Sequence, residues 1–543
     1  MVSWEETGSN FRAALQAKIP PEWQLSGVSK EAEKPRNILP LFHRCGLLTE
    51  RELEITEIED ATALLAKVHS GSWTALEVVS AFCKRAVMAQ QLVNCLMDID
   101  VEGAMQRARE LDAHFASTGS PVGPLHGLPI SLKDLTKARG FHHSFGITAW
   151  AGREDDEDAV VVQILREAGA VFYVKTTMPQ TGMALETVSN VWGTTLNPFN
   201  TDLCAGGSSG GEGALGACRG APLGVATDIG GSIRAPASFN GLYALRPTST
   251  RFSYAGNIVA VGGQIAISAT VGPVGHSIRD LELFCRVSSD FRPWLHDPAV
   301  VPKPWIPVEA PRKTSIGVMW WDEVVMPHPP ILRAMKSAVE KLKLAGHEVV
   351  EFKPYRHQHA WDITFPLYFP TGGQEMREFL ASSGEPMIPS VSKFLESAKC
   401  LSVPELMHYQ REQKAYRNEY FKHWNATATQ TSSGRPVDAI LMPSMASAAF
   451  PHHHLPWWGY LSTWNLLDYP SVVIPVTQVK PDDIKDAAYQ PVNERDADNY
   501  DLYDPVLFDQ APVSLQLVGR ILEEEQLLAV AIAVDRAIKT EWT

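Results

Sequence analysis

The sequence predicts a large α/β protein, with a mixed, mostly parallel central β-sheet covered by helices on both faces. Three observations predict it. Short apolar runs of strand character alternate with amphipathic helical segments between about residues 158 and 227. Thr314 to Phe352 reads as a strand–helix–strand unit, which implies parallel strands joined by a right-handed crossover. With 543 residues, 45% of them hydrophobic and 20% charged, the chain can bury a sizeable core as one continuous unit.

Taken in order, residues 1–70 form an N-terminal helical segment. Glu50 to Lys67 is rich in helix formers, with Leu53, Ile58, Leu64 and Leu65 as apolar points. Thr74 to Gln91 continues helical, and Thr74 and Glu77 stand in capping-box spacing. The main domain spans 71–540, with a core at about 120–280 and an α/β continuation at about 312–540. Asp158 starts a helix whose apolar face is Val161, Ile164, Leu165 and Ala168, ended by Gly169. Ala170 to Lys175 follows as a strand. Ser209-Gly-Gly-Glu212 reads as a second capping box, opening a helix of small residues that permits close backbone approach. Leu223 to Thr227 is a strand feeding a turn at Asp228. Pro329-Pro330 starts the helix Ile331 to Ala345, and Gly346 ends it. Strands are expected at Val437 to Met442, Ser471 to Thr477 and Val513 to Val518, with a closing amphipathic helix from Glu523 to Ile538. Residues 290–312 and 478–510, rich in Pro, Asp and Tyr, read as long surface loops.

Composition excludes several partners. The formal net charge of −14 argues against nucleic acid or an anionic membrane, both of which need a basic face. Seven scattered cysteines without CxxC spacing read as reduced thiols in a cytoplasmic protein. Acidic residues stand near the N-terminus where a signal peptide would be basic. The uncharged stretch Phe252 to Val274 holds four glycines and suits an active-site wall better than a bilayer span. His452-His453-His454 lacks a carboxylate or cysteine at ligand spacing, so neither a metal nor another cofactor is expected.

The chemistry gathers on three residues. Lys133 ends GLPISLK, an uncharged and largely apolar run, while Ser208 and Ser232 each sit in a glycine-rich turn, 24 positions apart. A serine nucleophile needs a base, and these segments offer no suitable histidine. Lysine serves only when neutral, and burial among apolar groups favours its neutral form.

Gly206 to Gly211 (GGSSGG) and Asp228 to Arg234 (DIGGSIR) resemble the hallmark of the amidase signature family, the Ser–cis-Ser–Lys hydrolases. Ser80-Ala-Phe-Cys-Lys-Arg, Gly123-Pro-Leu-His-Gly-Leu-Pro, Val174-Lys-Thr, Ala345-Gly-His and Val513-Ser-Leu-Gln-Leu-Val-Gly resemble its fungal acetamidase-type members, so the likeness runs from about residue 4 to 535. The resemblance implies a free-standing amidase that cleaves a small-molecule amide through a serine acyl-enzyme, in the same α/β fold. Ser232 would be the nucleophile, Ser208 the bridge after a cis peptide, and Lys133 the base. The run Ile229-Gly230-Gly231-Ser232 can turn its backbone N–H groups toward one point as an oxyanion hole, with Ser208 among the oxyanion-hole and substrate-binding residues. Ser209, Asp228, Arg234 and Thr227 would support them. Met183, Trp457, Trp458 and Trp464 are candidate pocket residues, and a homodimer is compatible with the family.

Two other readings use parts of the same pattern. GxSxG is matched twice in overlap around Ser208 and Ser209, as an α/β-hydrolase esterase would show, but that reading has no use for Lys133 or Ser232. A glutaminase subunit of an amidotransferase shares the hallmark but would need partner chains. The apolar run Ile265-Ala-Ile267 and the bulky Trp457 and Trp458 hint at a larger or aromatic acyl group.

Overall fold

The computed structural model describes residues 2–25, 35–259 and 261–539. Residues 1, 26–34 and 540, which fall in the expected segments, and Ala260 in the glycine-rich stretch lie outside the described residues. Eleven strands form one sheet: β1 (Leu96–Ile99), β2 (Pro129–Lys133), β3 (Val171–Thr176), β4 (Leu223–Asp228), β5 (Tyr243–Arg246), β6 (Thr270–Gly275), β7 (Ser315–Val318), β8 (Glu348–Glu351), β9 (Ala439–Pro443), β10 (Ser471–Gln478) and β11 (Pro512–Val518). Their spatial order is β1-β3-β2-β4-β6-β5-β10-β11-β9-β7-β8. The α/β class and the mixed sheet are as the sequence predicts.

Parallel order is localised. β3, β2 and β4 are parallel at one flank, and β9, β7 and β8 at the other. The remaining neighbours pair antiparallel. β4 and β5 run the same way, linked through the helix Arg234–Phe239, and β6 fills the space between them in the opposite sense. β2, β3 and β4 are buried along their whole length, as strands covered on both faces must be.

Local chemistry explains most boundaries. Thr74 and Glu77 form both hydrogen bonds of a capping box, and the helix Ala75–Val93 ends on Asn94 in the left-handed region. The helical stretch expected over Glu50 to Lys67 is two helices, Glu50–Thr56 and Ala61–His69, because Asp60 caps the second by accepting from Ala63 N–H. The expected loop over 478–510 contains the helix Glu494–Leu502, capped by Asn493 with Glu494 and Asp496 in its first turn. No described helix is long and apolar enough to cross a membrane.

Candidate active site

Lys133 ends β2 with no exposed surface. Its Nζ lies 2.7 Å from Ser208 Oγ and 3.0 Å from Thr227 Oγ1, at the end of neighbouring β4. Loss of hydration holds the amine down at about 7, against the opposing pull of the carboxylates of Asp228, Asp134 and Glu212. A neutral amine here accepts the Ser208 hydroxyl proton with its lone pair and still donates an N–H to Thr227. Thr227, expected only as support, therefore touches the Lys133 amine directly. Ser208 follows a cis peptide bond from Gly207. Its partner is a lysine, where an α/β-hydrolase esterase would place a histidine.

The capping box expected at Ser209 and Glu212 does not form. Ser209 makes no side-chain cap bond; its hydroxyl points to Thr227 O at 3.4 Å. Glu212 turns inward, accepting from Ser131 Oγ at 2.5 Å and Thr176 Oγ1 at 2.7 Å. Those hydroxyls lie far along the chain, so a local pattern gave no sign of them. Burial drives the Glu212 carboxyl up to about 7.

The Asp228–Arg234 turn carries Ser232. Asp228 accepts from the N–H groups of Gly231 (2.8 Å) and Ile233 (3.1 Å), from Arg234 Nε (3.0 Å) and Nη2 (3.1 Å), and from Asn465 Nδ2 (2.9 Å). Both ions are fully buried, and Arg234 holds the Asp228 carboxyl well below its ordinary range. Gly231 has φ +120°, and a Cβ there would stand 2.3 Å from Leu461 Cδ1, so only glycine fits. Because its N–H is committed to Asp228, Gly231 shapes the turn. The N–H groups of Ile229, Gly230 and Ser232 have no protein acceptor among the described residues. Tyr368 steadies this run by donating to Ile229 O at 2.9 Å. The two serine turns are tied by Ser209 N–H donating to Ser232 O at 3.2 Å.

Ser208, Thr227, Ile229 and Ser232 face one cavity of about 310 Å³. Its walls are mostly apolar: Leu135, Phe145, Met183, Tyr254, Tyr368 and Met376, joined by Ile258, Val261, Ile265 and Ile267. Met183 lines this cavity, as do residues of the glycine-rich stretch. Asp134 holds the Phe145 part of the wall in place, accepting from Ser144 and Phe145 N–H at 2.9 Å each. Tyr368 and Met376 come from a distant part of the chain and were missed.

The tryptophans are elsewhere. Trp457 and Trp458 line a second cavity with Trp361, Phe365 and Phe394. Trp464 is fully buried, in edge contact with Tyr420 and His357. Trp458 backs the turn instead, its Cζ3 3.2 Å from where a Gly230 Cβ would stand. His452 faces Thr201 O and His453 faces Glu186, so the histidine run is spread over separate contacts.

The model of the Amidase family matches residues 77–528. The chain belongs to the Amidase family. It is 41% identical to the acetamidase of Emericella nidulans over 99% of this chain and 98% of that one. The acetamidase of Aspergillus oryzae is 40% identical over 99% of each chain. The solved structure of a fatty acid amide hydrolase superposes with a TM-score of 0.91 at 32% identity, covering 99% of this amidase and 95% of that chain. Membership makes this chain an amide-hydrolysing enzyme.

Proposed function

We propose that this amidase cleaves a carboxamide through a Ser232 acyl-enzyme, using Ser208 and Lys133 as a proton relay. The observation that carries the reading is the buried, uncharged-leaning amine of Lys133 at 2.7 Å from Ser208 Oγ. Neutral Lys133 draws the Ser208 proton as Ser208 takes that of Ser232, and Ser232 Oγ attacks the carbonyl carbon. The oxyanion gathers N–H donors from Ile229, Gly230 and Ser232; one such donor lowers a barrier by about 3 kcal/mol. Protonated Lys133 then returns a proton through Ser208 to the amide nitrogen, which leaves as ammonia or an amine. Water repeats the sequence on the ester and frees the acid. No metal or other cofactor enters any step.

The cavity supports an apolar acyl group larger than acetyl. At about 30 Å³ per water it has room for roughly ten waters, far beyond the demand of a single methyl group. Seven cysteines without a disulfide support a cytoplasmic setting. The test is ammonia or amine release from acetamide, butyramide, hexanamide, benzamide, indole-3-acetamide and an N-aryl acetamide. The reading expects kcat/KM to rise from acetamide toward hexanamide or the aromatic amides. Best turnover of acetamide would overturn the substrate class, and silence on every amide would overturn the reaction.

A further inference from the structure

We infer that Glu212 is a positioning residue of the Ser208–Lys133 pair, strapping the helix behind Ser208 to the strand that carries Lys133 and setting how readily Lys133 gives up its proton. The inference rests on the reading of Lys133 as base. Glu212 sits in the first turn of the helix Gly210–Ala217, which begins two residues after Ser208. Ser131 and Lys133 are alternate residues of β2 and so point to one face of the sheet. Thr176 of β3 is in register with Lys133, and Gly224 of β4 with Ser131. Glu212 places one carboxylate oxygen on Ser131 and the other on Thr176, bridging two strands around the lysine. Gly224 makes the room: a Cβ there would lie 2.1 Å from Glu212 Oε2.

Two other carboxylates, Asp228 and Asp134, also favour protonated Lys133. Asp134 is held by Ser144 and Phe145, and Asp228 by Arg234. Tyr173 and Cys95, near Glu212, are both pushed up by burial and stay neutral. His276, which borders a small void together with Ser131, Glu212 and Gly224, is held down at about 3 and is neutral too. Like Asp134, Glu212 has no arginine partner: its hydrogen-bond donors are two hydroxyls. Its negative charge therefore favours protonated Lys133, and removing that charge favours the neutral base.

The test is the pH dependence of Ser232 labelling by a fluorophosphonate in the full chain, followed beside amide hydrolysis. In Glu212→Gln the acid limb should move to lower pH by about half a unit, roughly a threefold gain in neutral lysine below the midpoint, because Glu212 is itself only partly ionised near its value of about 7. Thr176→Val, which removes one hydrogen bond from the carboxylate and disfavours its ionised form, should move the limb the same way by less. A role in packing alone would lower the plateau and leave the limb in place; an unmoved limb in whichever variant folds would overturn the inference. Failure of the amidase reading looks different, because the wild-type chain would then label or hydrolyse nothing.

Discussion

Replacing Lys133 by methionine should make the protein more stable while silencing it. Burial takes this amine from its ordinary 10.5 to about 7. The unfolded chain therefore binds a proton that the folded chain releases over the interval between those values. Stability must rise with pH across that interval, because the unfolded state holds more protons there. At pH 7 the penalty of keeping Lys133 in the fold is about 4 kcal/mol, from 1.36 kcal/mol per unit. Below pH 7 it is constant, and above 10.5 it vanishes. Methionine fills a similar volume with no charge to desolvate, but forgoes the hydrogen bonds to Ser208 and Thr227, which are worth about 1 kcal/mol each. The net expectation is a gain of about 2 kcal/mol at pH 6–7. For 543 residues that is about 2 °C in Tm, shrinking steadily and reversing by pH 9.5. Thermal melts of wild type and Lys133→Met at pH 6, 7, 8 and 9.5 measure it. A Tm difference that stays the same at all four values would refute the reasoning, since desolvation of a titrating amine cannot act independently of pH.

Other outcomes follow from the same geometry. The kcat/KM of the wild type should rise through pH 7 to a plateau, since Lys133 acts when neutral, and a profile falling across that range would reverse the assignment. Ser232→Ala should lose about 10⁴-fold or more in kcat and all fluorophosphonate labelling, with its melting curve unchanged. Arg234→Met leaves Asp228 buried without its cation and should cost about 3–5 kcal/mol, read as a lower Tm. Met376→Trp narrows the cavity and should cut kcat/KM for benzamide about tenfold or more relative to acetamide, read from the amide panel.

How much was legible depended on whether the cause was local. Lys133, Ser208 and Ser232 could be named because glycine turns and an apolar strand are written in consecutive residues. Asp228 and Arg234 could be paired because only six positions separate them. Strand limits such as β4 and β11 follow from short apolar runs flanked by Gly, Pro and Asp. Glu212 was misread because Ser-x-x-Glu describes a cap only when no better donors are near; Ser131 and Thr176 are better donors, and only the folded sheet brings them there. Trp457, Trp458 and Trp464 were misplaced for a related reason. Aromatic composition says that a segment is buried, but not which of two neighbouring cavities it faces. Tyr368 and Met376 gave no signal, since nothing in their own surroundings differs from ordinary helix.

On the proposed mechanism, Lys133 is a base near neutrality built without an imidazole. Burial alone would push Lys133 far below 7, and three carboxylates around it would, unopposed, hold it protonated. The fold balances the two. Asp228 is the most dangerous of the three, because it stands in the serine turn itself; Arg234 cancels it with two hydrogen bonds and a full charge. Asp134 holds the backbone of Ser144 and Phe145, with Phe145 in the cavity wall, while its charge still raises Lys133. Glu212 is left with hydroxyl partners alone, and its own value near 7 means that it loses charge in the same range as Lys133 gains it. The pair titrates together. A lysine in that position keeps a usable proton affinity on both sides of the reaction, able to accept from Ser208 during attack and to return the proton when the nitrogen departs.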